Sequence, residues 1–426
     1  MLNSRAFCRA LFMTDGGTMV SVIEYADPVV HCPGYLVYDA TDCRLAAGGC
    51  RMQAGLTADT LKTLAGRMTL KQRVLGVNVD GAKCGIAYDP HGPHREEVLR
   101  RFVAFLAGEL TTRFSMGCDM GTRFEELDRM AAALGIGSAK TAVRRAQRIT
   151  EREFRARMDL LGTRVGLLTL GQRRAGQALA HSALAATAHT GRRDSQVSVA
   201  LQGFGNLGRA AALALLEAGV RITVVADEYG CAVDPRGLDI ARMLTLDQSR
   251  PVQSLLAEPM RLPREALLEL PADVLVLAAG EDAVTASQAA VLPVPIVAVG
   301  ANCGLSATAE RLLLDRGVVV VPDFIGGIGG SASMEALFGP RATPTAPEVL
   351  DTIGAMMREL VGDILCGARD RRVSPRQVAA DIAASAIVSP GDKPYGASPY
   401  RPTRPTPRGG RGRSVRTPQK SERRPS

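Results

Sequence analysis

One stretch restricts the fold more than any other. Val197-Ser198-Val199-Ala200-Leu201-Gln202 is a short apolar run of strand character, and Gly203-Phe204-Gly205-Asn206-Leu207-Gly208 follows it directly. An Ala/Leu-rich helix then runs from Ala210 to Glu217 and is closed by Gly219. A second apolar run, Ile222-Thr223-Val224-Val225-Ala226, ends at Asp227, 19 positions after Gly208. G-x-G-x-x-G alone is a weak signal in a chain with 44 glycines. Placed between a strand and a helix, with an acid closing the next strand, it has the full context of a dinucleotide fingerprint. Gly203 permits the tight turn, Gly205 lets backbone approach a pyrophosphate, and Gly208 lets helix pack on strand. Asn206 and Leu207 open the helix whose free N–H groups hold the phosphates. Asp227 is placed to accept the ribose hydroxyls and to repel a 2′-phosphate, which favours NAD over NADP.

Further β-branched runs, Val274–Leu277, Ile296–Val299 and Val318–Val321, alternate with helical segments. Such runs predict a parallel sheet buried on both faces. The fold class is therefore α/β: a Rossmann-type doubly wound dinucleotide-binding domain, preceded by an α/β substrate domain.

At 426 residues the chain has room for two or three domains. No apolar run reaches the length of a membrane span. The nine cysteines are scattered without a C-x-x-C pair, which argues against a disulfide framework or a zinc site and fits a reducing, cytoplasmic setting. The net charge of +9 misleads: residues 401–426 hold eight Arg, Lys420 and Glu422, so +8 of it lies in a tail and the body is close to neutral. A nucleic-acid-binding fold is not implied. The tail reads as solvated, with weak contact to nucleic acid or acidic partners as its alternative role.

The expected organisation is an unstructured leader over 1–18, a substrate-binding and oligomerisation domain over 19–170, the dinucleotide domain over 171–345, C-terminal helices over 346–389, and a disordered basic segment over 390–426. Within the first domain, Gly34–Tyr38 and Leu45–Ala47 read as strands. Residues 57–75 read as a helix capped by Thr57, with Leu61, Leu64, Ala65 and Met68 on one stripe. Val74 to Val79 reads as a strand ending in Asp80-Gly81, and Arg95 to Thr111 as one long helix.

Several blocks in this half carry chemistry: Ala47-Gly48-Gly49-Cys50-Arg51-Met52, Met68-Thr69-Leu70-Lys71, Asp80-Gly81-Ala82-Lys83-Cys84-Gly85, and Asp119-Met120-Gly121-Thr122. Two lysines 12 apart are usually two solvated charges. Here glycines surround Lys83 and allow a ligand to come close. In this order, and with the later Gly300-Ala301-Asn302 and Val319–Asp323, the blocks resemble the glutamate/leucine/phenylalanine/valine dehydrogenase family of amino acid dehydrogenases over most of residues 35–335. Gly49-Cys50-Arg51-Met52 looks like the leucine dehydrogenase branch.

The resemblance implies reversible NAD-dependent oxidative deamination of an amino acid in a homo-oligomer, with no metal. It places Lys71 on the substrate α-carboxylate, with Gly49 and Met52 also at the substrate. Lys83 matches the catalytic lysine of a Gly-rich loop. Asp119 matches the acid that moves protons to and from the amine. Asn302 falls near the nicotinamide ribose, and Thr169 loosely matches a turn beside the nicotinamide. A lysine buried beside a second lysine has a lowered pKa and can hold a carbonyl oxygen or activate water.

Glutamate-specific members tend to carry a lysine directly before the Gly-Gly pair. Here that residue is Ala47, which would leave a side-chain carboxylate buried and unpaired. An apolar side chain is the expectation, and Met52 is a candidate to line its pocket, with core packing as the alternative. Asp80, three residues before Lys83, is a departure from the family pattern; if close, it would raise the lysine pKa. Such departures leave a catalytically impaired, regulatory family member as the rival reading. His91 and His94 read as surface loop and Cys84 as a packing residue.

Overall fold

The computed structural model describes residues 9–13, 19–247, 250–255 and 260–402. Two sheets form its two halves. The first has spatial order β1-β2-β3-β5-β4-β6, from β1 (Arg9–Met13), β2 (Met19–Ala26), β3 (Pro33–Tyr38), β4 (Ala46–Met52), β5 (Asp80–Ile86) and β6 (Phe114–Cys118). β1 through β3 and β5 pair antiparallel, whereas β4 runs parallel to both β5 and β6. α1 (Ala58–Val74) connects β4 to β5 and covers one face of this sheet. The other face is sealed by α2 (Arg95–Phe105), α3 (Ala107–Thr112) and α4 (Phe124–Ala133) through Phe102, Leu106, Leu110 and Leu127. Thr57 caps α1 as expected, accepting a hydrogen bond from the Thr60 amide.

α5 (Thr141–Gln147), α6 (Glu151–Asp159) and a short ribbon of β7 (Arg164–Val165) and β8 (Leu168–Thr169) lead to α7 (Leu170–His189). The second sheet has order β12-β11-β10-β9-β13-β14-β15. It comprises β9 (Ser198–Gln202), β10 (Arg221–Ala226), β11 (Cys231–Val233), β12 (Arg261–Leu262), β13 (Val274–Leu277), β14 (Ile296–Val299) and β15 (Val319–Val321). The five strands β10-β9-β13-β14-β15 are parallel, as the β-branched runs predict. Its helices are α8 (Asn206–Glu217), α9 (Ile240–Met243), α10 (Ala286–Val291), α11 (Ala307–Asp315), α12 (Asp323–Gly326) and α13 (Gly329–Phe338). α14 (Ala346–Arg371) lies along α7, and α15 (Pro375–Ser385) returns to α1.

Four expectations change. Residues 9–13, inside the supposed leader, form an edge strand on β2. The strand expected at 74–79 is instead β5, Asp80–Ile86, so Lys83 sits on a strand and not in a loop. The ladders to β3 and β4 override the freedom of Gly81 and Gly85; the bare Gly81 lets β5 lie close under α1, and the bare Gly85 makes room for the Arg51 backbone and Leu56. The long helix at 95–111 is divided at Leu106 into α2 and α3.

The segment 390–402 is packed. Tyr395 is buried against Phe338, the Gly396 amide donates to Glu335 (2.9 Å), and Arg401 pairs with the same carboxylate (3.0 Å). Its composition is polar, but two tyrosines and one buried acid suffice to anchor it. The expectation of disorder for the rest of that segment, and of an unstructured leader outside 9–13, lies outside the described residues.

Tyr395→Ala is expected to cost about 3 kcal/mol through the cavity it leaves. Thermal unfolding checks this: a lowered Tm is expected, whereas a solvated segment would leave Tm unchanged.

Candidate active site

Register across β5-β4-β6 aligns Ala47 with Gly81 and Ser115, and Gly49 with Gly117. The same offset sets Gly49 beside Lys83. Side chains alternate along a strand, so Ala47, Gly49 and Arg51 share one face with Gly81 and Lys83 and with Ser115, Gly117 and Asp119. That face is stripped almost bare, apart from three charged groups at one end. Gly49 must stay bare: a Cβ there would lie 2.7 Å from the Cys118 carbonyl oxygen and 3.1 Å from the Asp119 Cβ. The opposite face carries Cys50, Met52 and Cys84 into the core. Met52 is therefore packed among α2–α4 and does not line a pocket; one step of strand alternation turns it away. Cys84 is a buried packing thiol whose pKa burial pushes up.

At the charged end, Lys83 Nζ lies 2.8 Å and Arg51 Nε 2.9 Å from the same Asp119 carboxylate oxygen. Burial alone would raise the Asp119 pKa; the two cations outweigh it and hold the carboxyl below its usual range. Thr122 fixes the loop, donating to the Cys50 carbonyl (2.7 Å) and accepting from the Asp119 amide (3.2 Å). Lys71, from α1, donates to Asn302 Oδ1 (3.1 Å) and to the Gly327 carbonyl (3.0 Å). Burial first, and Lys83 second, lower its pKa to about 8.

Asp80 does not act on this cluster: it is committed to Arg73 (2.9 Å), Arg113 (3.2 Å) and the Cys43 amide (2.7 Å). Three residues along a strand put it on the other face from Lys83.

A cleft of about 1040 Å³ joins this cluster to the second sheet, lined by Lys71, Asp119, Gly203, Gly205, Asn206, Leu207, Asp227 and Asn302 among others. Gly203 has φ +91°, a conformation that L side chains rarely adopt. Gly205 caps α8 with open space where a Cβ would stand, and Gly208 lies in the first turn of that helix. A bare turn opening on a helix N-terminus fits a dinucleotide pyrophosphate. Asp227 closes β10 and accepts from the amides of Tyr229 (2.8 Å), Gly230 (3.0 Å) and Val252 (2.6 Å). Those bonds fix its carboxylate at the cleft wall and leave lone pairs for ribose hydroxyls.

Thr169 is elsewhere. It caps α7 in a reciprocal box with Gln172, and Ala175 is the α7 residue that reaches the cleft. A Thr followed three residues later by Gln was itself a cap signal. Sequence reasoning also passed over Arg51 as a site residue, although strand alternation with Cys50 and Met52 points it to the face of Gly49. His91 and His94 are exposed, and no metal-competent cluster occurs among the described residues. No helix among the described residues is long and apolar enough to cross a membrane.

Comparison with known proteins agrees with this geometry. Residues 171–390 match the family model for Glutamate/Leucine/Phenylalanine/Valine dehydrogenase, and residues 19–135 match the Glu/Leu/Phe/Val dehydrogenase dimerisation domain. The glutamate dehydrogenase of Thermotoga maritima is 29% identical over 308 residues, 70% of each chain. The NADP-specific glutamate dehydrogenase A1 of Halobacterium salinarum is 30% identical over 288 residues, 66% of each chain. Among solved structures, the hetero-hexameric glutamate dehydrogenase of Thermus thermophilus in its Leu-bound form superposes with a TM-score of 0.68 at 25% identity, covering 89% of this chain and 86% of that one.

Because the Asp119 pKa is depressed, its pairing stabilises the fold above the ordinary carboxylate range and is lost as pH falls through the depressed value. Arg51→Met removes one of the two cations. A loss of about 1–3 kcal/mol is expected at pH 7. Denaturant melts repeated down the pH scale should show the gap from wild type closing in acid. A gap constant with pH would mean that Arg51 does not act through the Asp119 charge.

Proposed function

From the premise that this chain belongs to the glutamate/leucine/phenylalanine/valine dehydrogenase family, we propose that it carries out reversible NAD-dependent oxidative deamination of an L-amino acid to its 2-oxo acid and ammonia. The single observation that carries this reading is the convergence of Lys71, Lys83 and Asp119 beside the dinucleotide cleft.

Gly203, Gly205, Asn206 and Leu207 would hold the pyrophosphate, Gly208 would seat the helix beneath it, and Asp227 would hold the adenosine ribose. The acidic wall of Asp227 and Glu228 supports NAD over NADP. Asn302, on the cleft wall and bonded to Lys71, would face the nicotinamide ribose. When bound, the nicotinamide supplies the two-electron acceptor for the Cα–H bond.

The residues of this chain do the rest. Lys71 exchanges its bonds to Asn302 and Gly327 for the substrate α-carboxylate, and that anion raises the ammonium pKa back toward its ordinary value. Gly49 gives the substrate room above the sheet. Asp119, held ionised, accepts the hydrogen bond of the α-amino group and takes its proton. Lys83 positions the water that attacks the iminium carbon and holds its oxygen while the two O–H protons pass to solvent and the carbonyl forms. The proton taken by Asp119 returns to nitrogen as ammonia leaves.

The missing lysine at position 47 supports an apolar, leucine-, valine- or phenylalanine-like side chain when that face is considered alone. The dimerisation-domain match supports assembly as a homo-oligomer. A catalytically impaired regulatory subunit is the second reading, favoured by the loose match around Thr169, which caps α7 and does not reach the cleft.

Lys83→Met is expected to lower NADH formation at least about 10³-fold. Binding of NADH, followed by the fluorescence of the nicotinamide itself, should persist. A wild-type chain that binds NADH yet turns over no amino acid in a broad panel would favour the impaired subunit.

A further inference from the structure

Asp119 is held by one of its two oxygens. Lys83 Nζ and Arg51 Nε both lie on Oδ2, at 2.8 and 2.9 Å, and among the described residues Oδ1 accepts no hydrogen bond. Asp119 lines the cleft, so Oδ1 is the oxygen left for a ligand. The two cations on Oδ2 are not alike. Lys83 carries an ammonium on a flexible stem, free to turn its donors elsewhere. Arg51 has its guanidinium fixed at two points, by Nε on Asp119 and by Nη1 on Gln53 Oε1 (3.3 Å). Its side chain is 5% exposed, and a guanidinium keeps its charge at every working pH.

The proposed reaction gives Lys83 a second duty, on the oxygen of the attacking water. Donors turned to that oxygen are withdrawn from Asp119. A buried carboxylate that loses its counter-ion takes up a proton and ceases to be a base. The other groups around Asp119 cannot replace Lys83. Lys71 of α1 senses its charge but donates to Asn302 and Gly327, and the substrate carboxylate is its next partner. Cys118, at the end of β6, is its neighbour in the chain and brings no positive charge. The Cys84 thiol senses Asp119 from the apolar face of the sheet. Arg51 alone is both positive and committed.

We propose that Arg51 is a positioning residue for the reaction: it locks Oδ2 of Asp119 and remains there as counter-ion when Lys83 turns to the reacting oxygen, so that Oδ1 carries the substrate's proton. This rests on the reading of the chain as an amino acid dehydrogenase and deepens it. In the forward direction an N–H bond of the substrate ammonium breaks, its electron pair stays on nitrogen, and the proton forms Oδ1–H. The same proton returns to nitrogen as ammonia leaves. Lys83 is thus released for oxygen chemistry without disabling the base beside it.

The test uses the full chain with NAD and the best substrate of a broad amino acid panel. Asp119 works as a base above its pKa, so kcat/KM falls as pH drops through that value. Without Arg51, burial is opposed by Lys83 alone, and this acid limb moves to higher pH. Arg51→Met is expected to move it up by at least about one pH unit. It is also expected to lower kcat about 10²-fold with KM nearly unchanged, because the base is misplaced while the carboxylate site on Lys71 is intact. The alkaline limb, where free Lys71 with its pKa of about 8 loses its charge, stays in place. Arg51→Lys keeps the charge and is expected to hold the acid limb within about half a unit of wild type.

Infrared titration reads the same group without turnover. The carboxylic C=O stretch that disappears in Asp119→Asn is followed against pH in wild type, Arg51→Met and Lys83→Met. In Lys83→Met, Arg51 alone is expected to keep Asp119 ionised through neutral pH, and in Arg51→Met the stretch is expected to persist to higher pH than in wild type. That pattern supports the counter-ion role even if no amino acid is oxidised, an outcome that would defeat the dehydrogenase reading alone. An acid limb unmoved in Arg51→Met, a limb moved equally by Lys and Met at position 51, or an Asp119 that is protonated at neutral pH once Lys83 is gone would each overturn the proposal. Should Arg51→Met fail to fold, Arg51→Lys and the Lys83→Met titration still decide it.

Discussion

A buried carboxylate between two buried cations is the constraint around which the first half of this protein is arranged. Asp119 has little solvent to stabilise its charge, so its ionised form depends on Lys83 and Arg51. Those three groups come from β5, β4 and the loop that follows β6, and they meet only in one register of β5-β4-β6. A slip of one residue in β4 would send Arg51 into the apolar layer under α2–α4 and bring Cys50 to the charged face. The ion cluster and the hydrophobic layer therefore specify the same register from opposite sides of the sheet.

The same sheet explains which parts of the molecule could be read in the sequence. The βαβ unit around Gly203 was legible because every signal in it is local: apolar run, glycine spacing, helix, closing acid. The helix with Lys71 was legible for the same reason, through Thr57 and a regular apolar stripe. β5 was not legible. Its glycines suggest a loop by local preference, and only pairing with β3 and β4 makes it a strand. Arg51 and Met52 were half legible, since alternation assigns them opposite faces, but which face meets the cleft depends on where α1 packs. Tyr395 and Tyr400 were hidden by a polar context that composition reads as disorder.

Function also depends on how the halves are joined. Lys71 and Gln72 of α1 reach across to Asn302, Gly327 and Ser331 at the second sheet and its helices. Arg376 of α15 binds both Glu310 (2.7 Å) and Asp323 (2.8 Å), and Arg67 of α1 meets Asp323 from the other side (3.4 Å). The helix that carries Lys71 is thus tied to the second half by its own polar side chains. A ligand that takes Lys71 away from Asn302 and Gly327 removes one of these ties, so occupancy of the carboxylate site and the geometry of the cleft are coupled.

Charge over the bare face gives the last step. Lys83 and Arg51 meet there at Asp119, with Lys71 beside them. Such an excess in a cleft with low-dielectric walls attracts anions and holds them more firmly than it would in water. An amino acid with an uncharged side chain brings one carboxylate but also an ammonium, and leaves the excess almost unchanged. The bareness of Gly49 then has a physical purpose: it keeps backbone, and no side chain, beside the charged cluster.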